Sequence, residues 1–170
     1  MKKLLFFIFL IPFLINGCKN TIKEGANNKL ESQSIKNNLE TQKKYEEALE
    51  LFKLQIKCVV DDDRETQMGI YSEDLHYEFP FATDRPKIIE GRDAFKKIMQ
   101  PIWERRRENN IELSLEKYEF HSTDEPGLFL AVFDHKAFFD EKSEPILSPC
   151  VQLIRIKDNH IIEVREYFEP

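Results

Sequence analysis

Glycine is scarce in this chain, 5 residues in 170, and none gathers into the Gly-rich loop that cradles a phosphate. Phosphate binding of that kind is therefore excluded. No Ser or Cys nucleophile motif is present either. The four histidines, His76, His121, His135 and His160, fall on four separate segments without ligand spacing, so neither a metal nor a cofactor is expected. Asp61-Asp62-Asp63 lacks the alternating oxygens, turn glycine and distal Glu of a calcium loop. The net charge of -6 comes with acidic and basic residues intermixed. With no basic stripe interleaved with aromatics, nucleic acid is not an expected partner. The longest apolar run, Leu4 to Ile15, has 12 residues, well short of the ~20 that cross a bilayer as a helix.

What is present begins with that short run. Lys2 and Lys3 precede it and Gly17 follows it, the arrangement of a secretory signal over residues 1–17. Leu14-Ile15-Asn16-Gly17-Cys18 resembles a lipobox, in which an aliphatic residue and a small pair precede a lipid-modified Cys. The expectation is a bacterial lipoprotein, cleaved before Cys18 and held to the cell envelope by its acyl chains, each buried CH₂ adding about 0.8 kcal/mol of membrane affinity. Lys19, where an Asp would favour inner-membrane retention, favours the outer membrane. Residues 18–38 then form the lipidated Cys and a tether. Rich in Asn, Lys, Ser and Gln, the tether buries too little apolar surface to order itself, and as a coil it reaches roughly 25 Å.

Residues 39–170 suffice for one domain with one core. Phenylalanine is abundant at 14 against a single tryptophan, Trp103, so that core should be aromatic. Tyr45, Ala48, Leu49, Phe52, Ile56 and Val59 recur at helical spacing. The Asp61–Asp63 triplet stops this helix and caps a short second one through Ile70 and Tyr71. A strand is expected from Leu75 to Phe81. A third helix follows Gly91, with Ala94, Phe95, Ile98, Met99, Ile102 and Trp103 on one face, Pro101 within it and Arg105-Arg106-Arg107 at its negative end. Then come strands over Ile111–His121, Leu128–Phe139, Ile146–Lys157 and Ile161–Phe168, joined by turns at Asp124–Gly127, Asp140–Ser143 and Asp158-Asn159. Helices followed by long antiparallel strands make an α+β plan. Cys58 and Cys150 are left as a pair, either a disulfide or two buried thiols packing as small hydrophobes.

Three strings in this order resemble the SnoaL-like branch of the nuclear-transport-factor-2-like superfamily. They are Tyr71-Ser72-Glu73-Asp74 leading to Tyr77-Glu78-Phe79-Pro80-Phe81, then Ile89-Glu90-Gly91-Arg92-Asp93-Ala94, and finally Val164-Arg165-Glu166-Tyr167-Phe168-Glu169-Pro170. The resemblance implies a cone, in which a strongly curved, mixed or antiparallel sheet wraps three N-terminal helices and leaves a mostly apolar pocket. It also implies that a homodimer through the outer sheet face is possible. It does not settle activity, because the superfamily holds isomerases, cyclases, hydrolases, dehydratases and domains without chemistry. Its ketosteroid isomerases need a carboxylate before a Pro on the first strand, a Tyr on the first helix and a protonated Asp on the fourth strand. The matching places here hold Phe79, Gln55 or a neighbour, and Gln152, with only the supporting Tyr71 retained. Isomerase chemistry of that kind is not expected.

The expected function is therefore binding of a small apolar or amphipathic molecule at the envelope membrane, with Tyr71, Tyr77, Phe79 and Trp103 giving apolar contact and Gln152 orienting the ligand. Two rivals stand beside it. One is an enzyme of the cyclase, dehydratase or hydrolase type, with Glu166 or Asp134 as general base. The other is a lipid-anchored, dimeric interaction module.

Overall fold

The computed structural model describes residues 24–139 and 144–168. The expected signal segment, Cys18 and the Asp140–Ser143 turn lie outside the described residues. The chain divides into two units, Met1–Leu39 and Glu40–Pro170. In the first, the described part is the opening of helix α1, Glu24–Asp61, so from Glu24 onward the expected coil is helical.

In the second unit α1 buries Ala48, Leu51, Phe52, Gln55 and Cys58, a face at three- and four-residue spacing. Phe52 is its aromatic anchor, stacking on Phe120 at 5.0 Å and tilting against Phe133 at 5.9 Å. Tyr45, two turns earlier, donates its hydroxyl to the Phe120 carbonyl at 2.7 Å. The acidic triplet ends the helix as its sequence suggests. Asp63 caps α2, Arg64–Ile70, by accepting from the Thr66 amide at 3.1 Å.

Helix α2 runs directly into β1, Tyr71–Glu78, which therefore starts four residues earlier than the alternation from Leu75 indicated. An irregularity between Tyr71 and His76 breaks the two-residue period there, hiding the strand's first half from a pattern reading. The three-residue strand β2, Ile88–Glu90, was also not expected and is too short to show a period. It turns into α3, Arg92–Glu108, through Gly91, whose φ of +88° suits glycine and whose amide donates to the Leu75 carbonyl at 2.7 Å. The three arginines closing α3 are not equivalent. Arg106 donates to the carbonyls of Val59, Val60 and Ile111, tying the end of α3 to the last turn of α1.

Strands β3 (Glu112–Ser122), β4 (Leu128–Phe138), β5 (Ile146–Lys157) and β6 (His160–Phe168) follow. Asp158 and Asn159, both at positive φ, make the tight β5–β6 turn. The curved six-stranded sheet has the order β2-β1-β6-β5-β4-β3. All neighbours are antiparallel except β1 and β6, which run parallel. This is the mixed α+β plan that the resemblance implied. Cys58 and Cys150 are free, buried thiols, and burial pushes both up from the ordinary thiol value.

Replacing Phe52 by Ala, which empties the junction of α1, β3 and β4, should cost about 3–5 kcal/mol in urea denaturation. Leu39→Ala, at a position 66% exposed, should stay within about 0.5 kcal/mol.

Candidate functional site

A sheet buries one face, and alternation along each strand decides which side chains occupy it. On β4 the buried Phe129, Ala131 and Phe133 set the inner face, and the same parity carries His135 and Ala137 inward. On β5 it carries Cys150, Gln152 and Ile154, and on β1 Tyr77 and then Phe79 just beyond the strand. Between this face and the helices lies a cavity of about 270 Å³. Phe95 and Trp103 of α3 close one wall and Gln55 of α1 contributes to another. Tyr77 stacks between Phe79 and Phe95, with ring centroids 4.5 and 4.6 Å away. An adjoining hollow of about 220 Å³, formed with the Phe81–Arg85 loop, shares Phe79, Arg85, Glu166 and Phe168 with it.

Two polar clusters interrupt the apolar lining. In the first, Glu166 Oε2 accepts from the Tyr77 hydroxyl at 2.7 Å and from Gln152 Nε2 at 2.5 Å. Gln152 is directly opposite Glu166 in the β5–β6 ladder, and 3% exposed. Because its amide nitrogen is committed to the carboxylate, its Oε1 points away and has no donor among the described residues. In the second, the Tyr71 hydroxyl accepts from Gln55 Nε2 at 3.2 Å and from Gln67 Nε2 at 3.5 Å. Gln55 Oε1 is likewise buried without a donor among the described residues. Burial pushes both phenols above their ordinary value, with the Glu166 charge adding to the rise. They are neutral hydroxyls at physiological pH. Among the described residues, Glu166 is the only carboxylate lining the cavity.

Among the described residues three arginines border it, and each is already engaged. Arg64 lies 4.8 Å over the Trp103 ring and bonds Asp62 and Gln67. Arg85 lies 5.1 Å over Phe79 and makes a two-pronged contact with Asp84. Arg106 is held by the three carbonyls at the helix ends.

Tyr71, Tyr77, Phe79, Trp103, Gln152 and Glu166 all line this one cavity. Phe79, Gln55 and Gln152, the places where the resemblance puts the isomerase's base and donors, converge here without any of that chemistry. Asp134 requires a correction. It takes the opposite parity on β4 from buried Phe133, opposite Glu116 and Pro149 in the ladders, and does not line the cavity. Its neighbour His135 does, edge-on to Phe133 at 5.1 Å and to Phe168 at 6.1 Å. The alternation already put His135 opposite Asp134, and what sequence lacked was the sign of the face. Arg64, Phe95 and Arg106 were missed as lining residues because only the fold brings them here. Among the described residues no His, Cys, Asp and Glu gather as a metal site, and no helix is long and apolar enough to cross a membrane.

No protein-family model matches the chain, and no curated protein matches it. Solved structures do match. A candidate isomerase from Bacillus subtilis superposes with a TM-score of 0.61 at 22% identity, over 75% of this chain and 89% of its own. An NTF2-like protein from Burkholderia xenovorans LB400 gives 0.54 at 17%, over 74% and 91%. A computationally designed 17-OHP binder gives 0.56 at 17%, over 72% and 93%. At these identities the likeness is one of fold, and the fold is NTF2-like.

His135 sets a pH dependence. Burial depresses its imidazole below the ordinary 6.5, opposed by Glu166 and reinforced by Arg106. The unfolded chain then binds the proton more readily, so the stability His135 contributes is present above pH 6.5 and lost as pH falls through the lowered folded value. His76 acts in the opposite sense. Hydrogen bonding to Glu78, with a smaller contribution from Glu90, raises its value, so its contribution is lost as pH rises. His135→Phe should flatten the fall in the urea midpoint between pH 7 and pH 5 while leaving the His76 component in place. An unchanged slope would show that His135 is not buried as described.

Proposed function

We propose that this protein is an envelope lipoprotein whose folded domain binds a small apolar or amphipathic molecule without covalent chemistry. The observation that carries this reading is the cavity's make-up. Its walls are mainly aromatic and aliphatic, and among the described residues one carboxylate lines it, fixed by Tyr77 and Gln152, with two buried amide oxygens left without donors. Apolar walls with a few placed polar groups are what small-molecule binding requires, and the volume is near the lower end of the usual range of about 300–1,000 Å³. The designed 17-OHP binder supports the view that this fold can serve binding alone. Tyr71, Tyr77, Phe79 and Trp103 provide the apolar contact, and Gln152 and Glu166 fix orientation.

A second reading rests on the same carboxylate. Glu166 faces inward beside two hydrogen-bond donors, which is the placement a general base needs in a cyclase, dehydratase or hydrolase. Asp134, on the other face, has no part in it. Pairing through the outer sheet face is a third element of the proposal. Leu130 opposite Leu153 and Val132 opposite Val151 put an apolar patch there, flanked by the Glu78–Arg165 ion pair.

Membrane attachment rests on the sequence of residues 1–18 alone. Cys18→Ser should move the protein from the membrane to the soluble fraction and abolish labelling by a palmitate analogue. Continued labelling of that variant would overturn the lipobox reading.

Trp103, the only tryptophan, lines the cavity and reports on its contents. Native mass spectrometry of the full chain after incubation with envelope extracts should retain a small molecule, and the purified molecule should change Trp103 emission on titration. Conversion of that molecule over time would favour the enzyme reading. A chain that retains nothing and shows no emission change would contradict both.

A further inference from the structure

Two buried side-chain oxygens of residues lining the cavity are acceptors without a donor among the described residues. They are Gln152 Oε1 and Gln55 Oε1, which belong to residues that are 3% and 2% exposed. Burying an acceptor without a partner is costly, so a ligand that fills this space gains by donating to them. A carbonyl or carboxylate on the ligand would leave them unpaired and add repulsion.

Charge points the same way. Among the described residues Glu166 is the only carboxylate lining the cavity, and its hydrogen bonds there come from neutral donors, the Tyr77 hydroxyl and the Gln152 amide. No cation pairs with it among the described residues. The three arginines that border the cavity are committed elsewhere, Arg64 to Asp62 and Gln67, Arg85 to Asp84, and Arg106 to backbone carbonyls.

We infer that the cavity selects a protonated primary amine on an apolar body. The ammonium would donate to Glu166 and Gln152 Oε1 while the body lies among Tyr77, Phe95 and Trp103. An ammonium supplies three donors and one positive charge, which a neutral alcohol of the same shape supplies only in part. This inference rests on the binding reading above and narrows it to a ligand class.

The test is isothermal titration of the full chain with three probes of matched shape, 4-phenylbutylamine, 4-phenylbutanol and 4-phenylbutyrate. The amine should bind at least tenfold more tightly than the alcohol, and the carboxylate more weakly than either. Glu166→Gln should remove the amine's advantage, bringing the amine to the affinity that the alcohol shows for the same variant. The wild-type comparison needs no variant, so a misfolded Glu166→Gln protein would not rescue the idea. Equal binding of amine and alcohol to the wild type would overturn the amine class while leaving cavity binding intact. An amine preference that survives in a folded Glu166→Gln protein would overturn the role given to Glu166. Binding of none of the three would overturn both the class and the binding reading.

Discussion

The parallel pairing of the first strand with the last is the constraint on which the site depends. β6 inserts between β1 and β5, with Tyr77 opposite Val164 and Gln152 opposite Glu166. That register brings Tyr77 to Glu166 across 89 positions of sequence and puts Gln152 on the same carboxylate oxygen. Strand side chains alternate, so a slip of one residue in β6 would turn Glu166 outward and leave Tyr77 and Gln152 without it. The apolar residues of β6 hold the register. Ile161 and Val164 are fully buried, and a slip would expose both. The outer side adds an ionic lock, with Arg165 forked onto Glu78, which holds that carboxyl well down, to about 2. One strand thus fixes core, ion pair and site together.

The helices complete what the sheet begins. Phe52 clamps α1 onto β3 and β4, and Arg106 ties α1 to α3 through backbone carbonyls. These contacts frame the cavity while Phe95 and Trp103 close its wall. The polar groups inside are those the packing cannot satisfy. Gln55 and Gln152 each spend the amide nitrogen on a neighbour, and the oxygen remains free.

Much of this was legible in the sequence because two periods carry it. The helical spacing from Tyr45 to Val59 and the strand runs after Ile111 match α1 and β3 to β6 closely, and the Asp158-Asn159 turn is where its residues demand. Inward Gln152 and Glu166 followed from the same alternation. Features with no period of their own were not legible. β2 is three residues long, the irregularity in β1 hides its start, and residues from Glu24 are helical where composition indicated coil. Asp134 and His135 show a different limit. Alternation separates them onto two faces, but only the burial of Phe133 says which face is inside. Arg64, Phe95 and Arg106 reach the site through tertiary packing, which no local pattern encodes.

The central claim is that the space beside Glu166 is made to hold a small molecule, and a crystal structure of the chain purified from its own cells tests it most directly. The account predicts non-protein density between Trp103 and Glu166, within hydrogen-bonding distance of Gln152 Oε1. A cavity collapsed on itself, with Tyr77, Phe95 and Trp103 filling the space and both amide oxygens paired to protein donors, would contradict it.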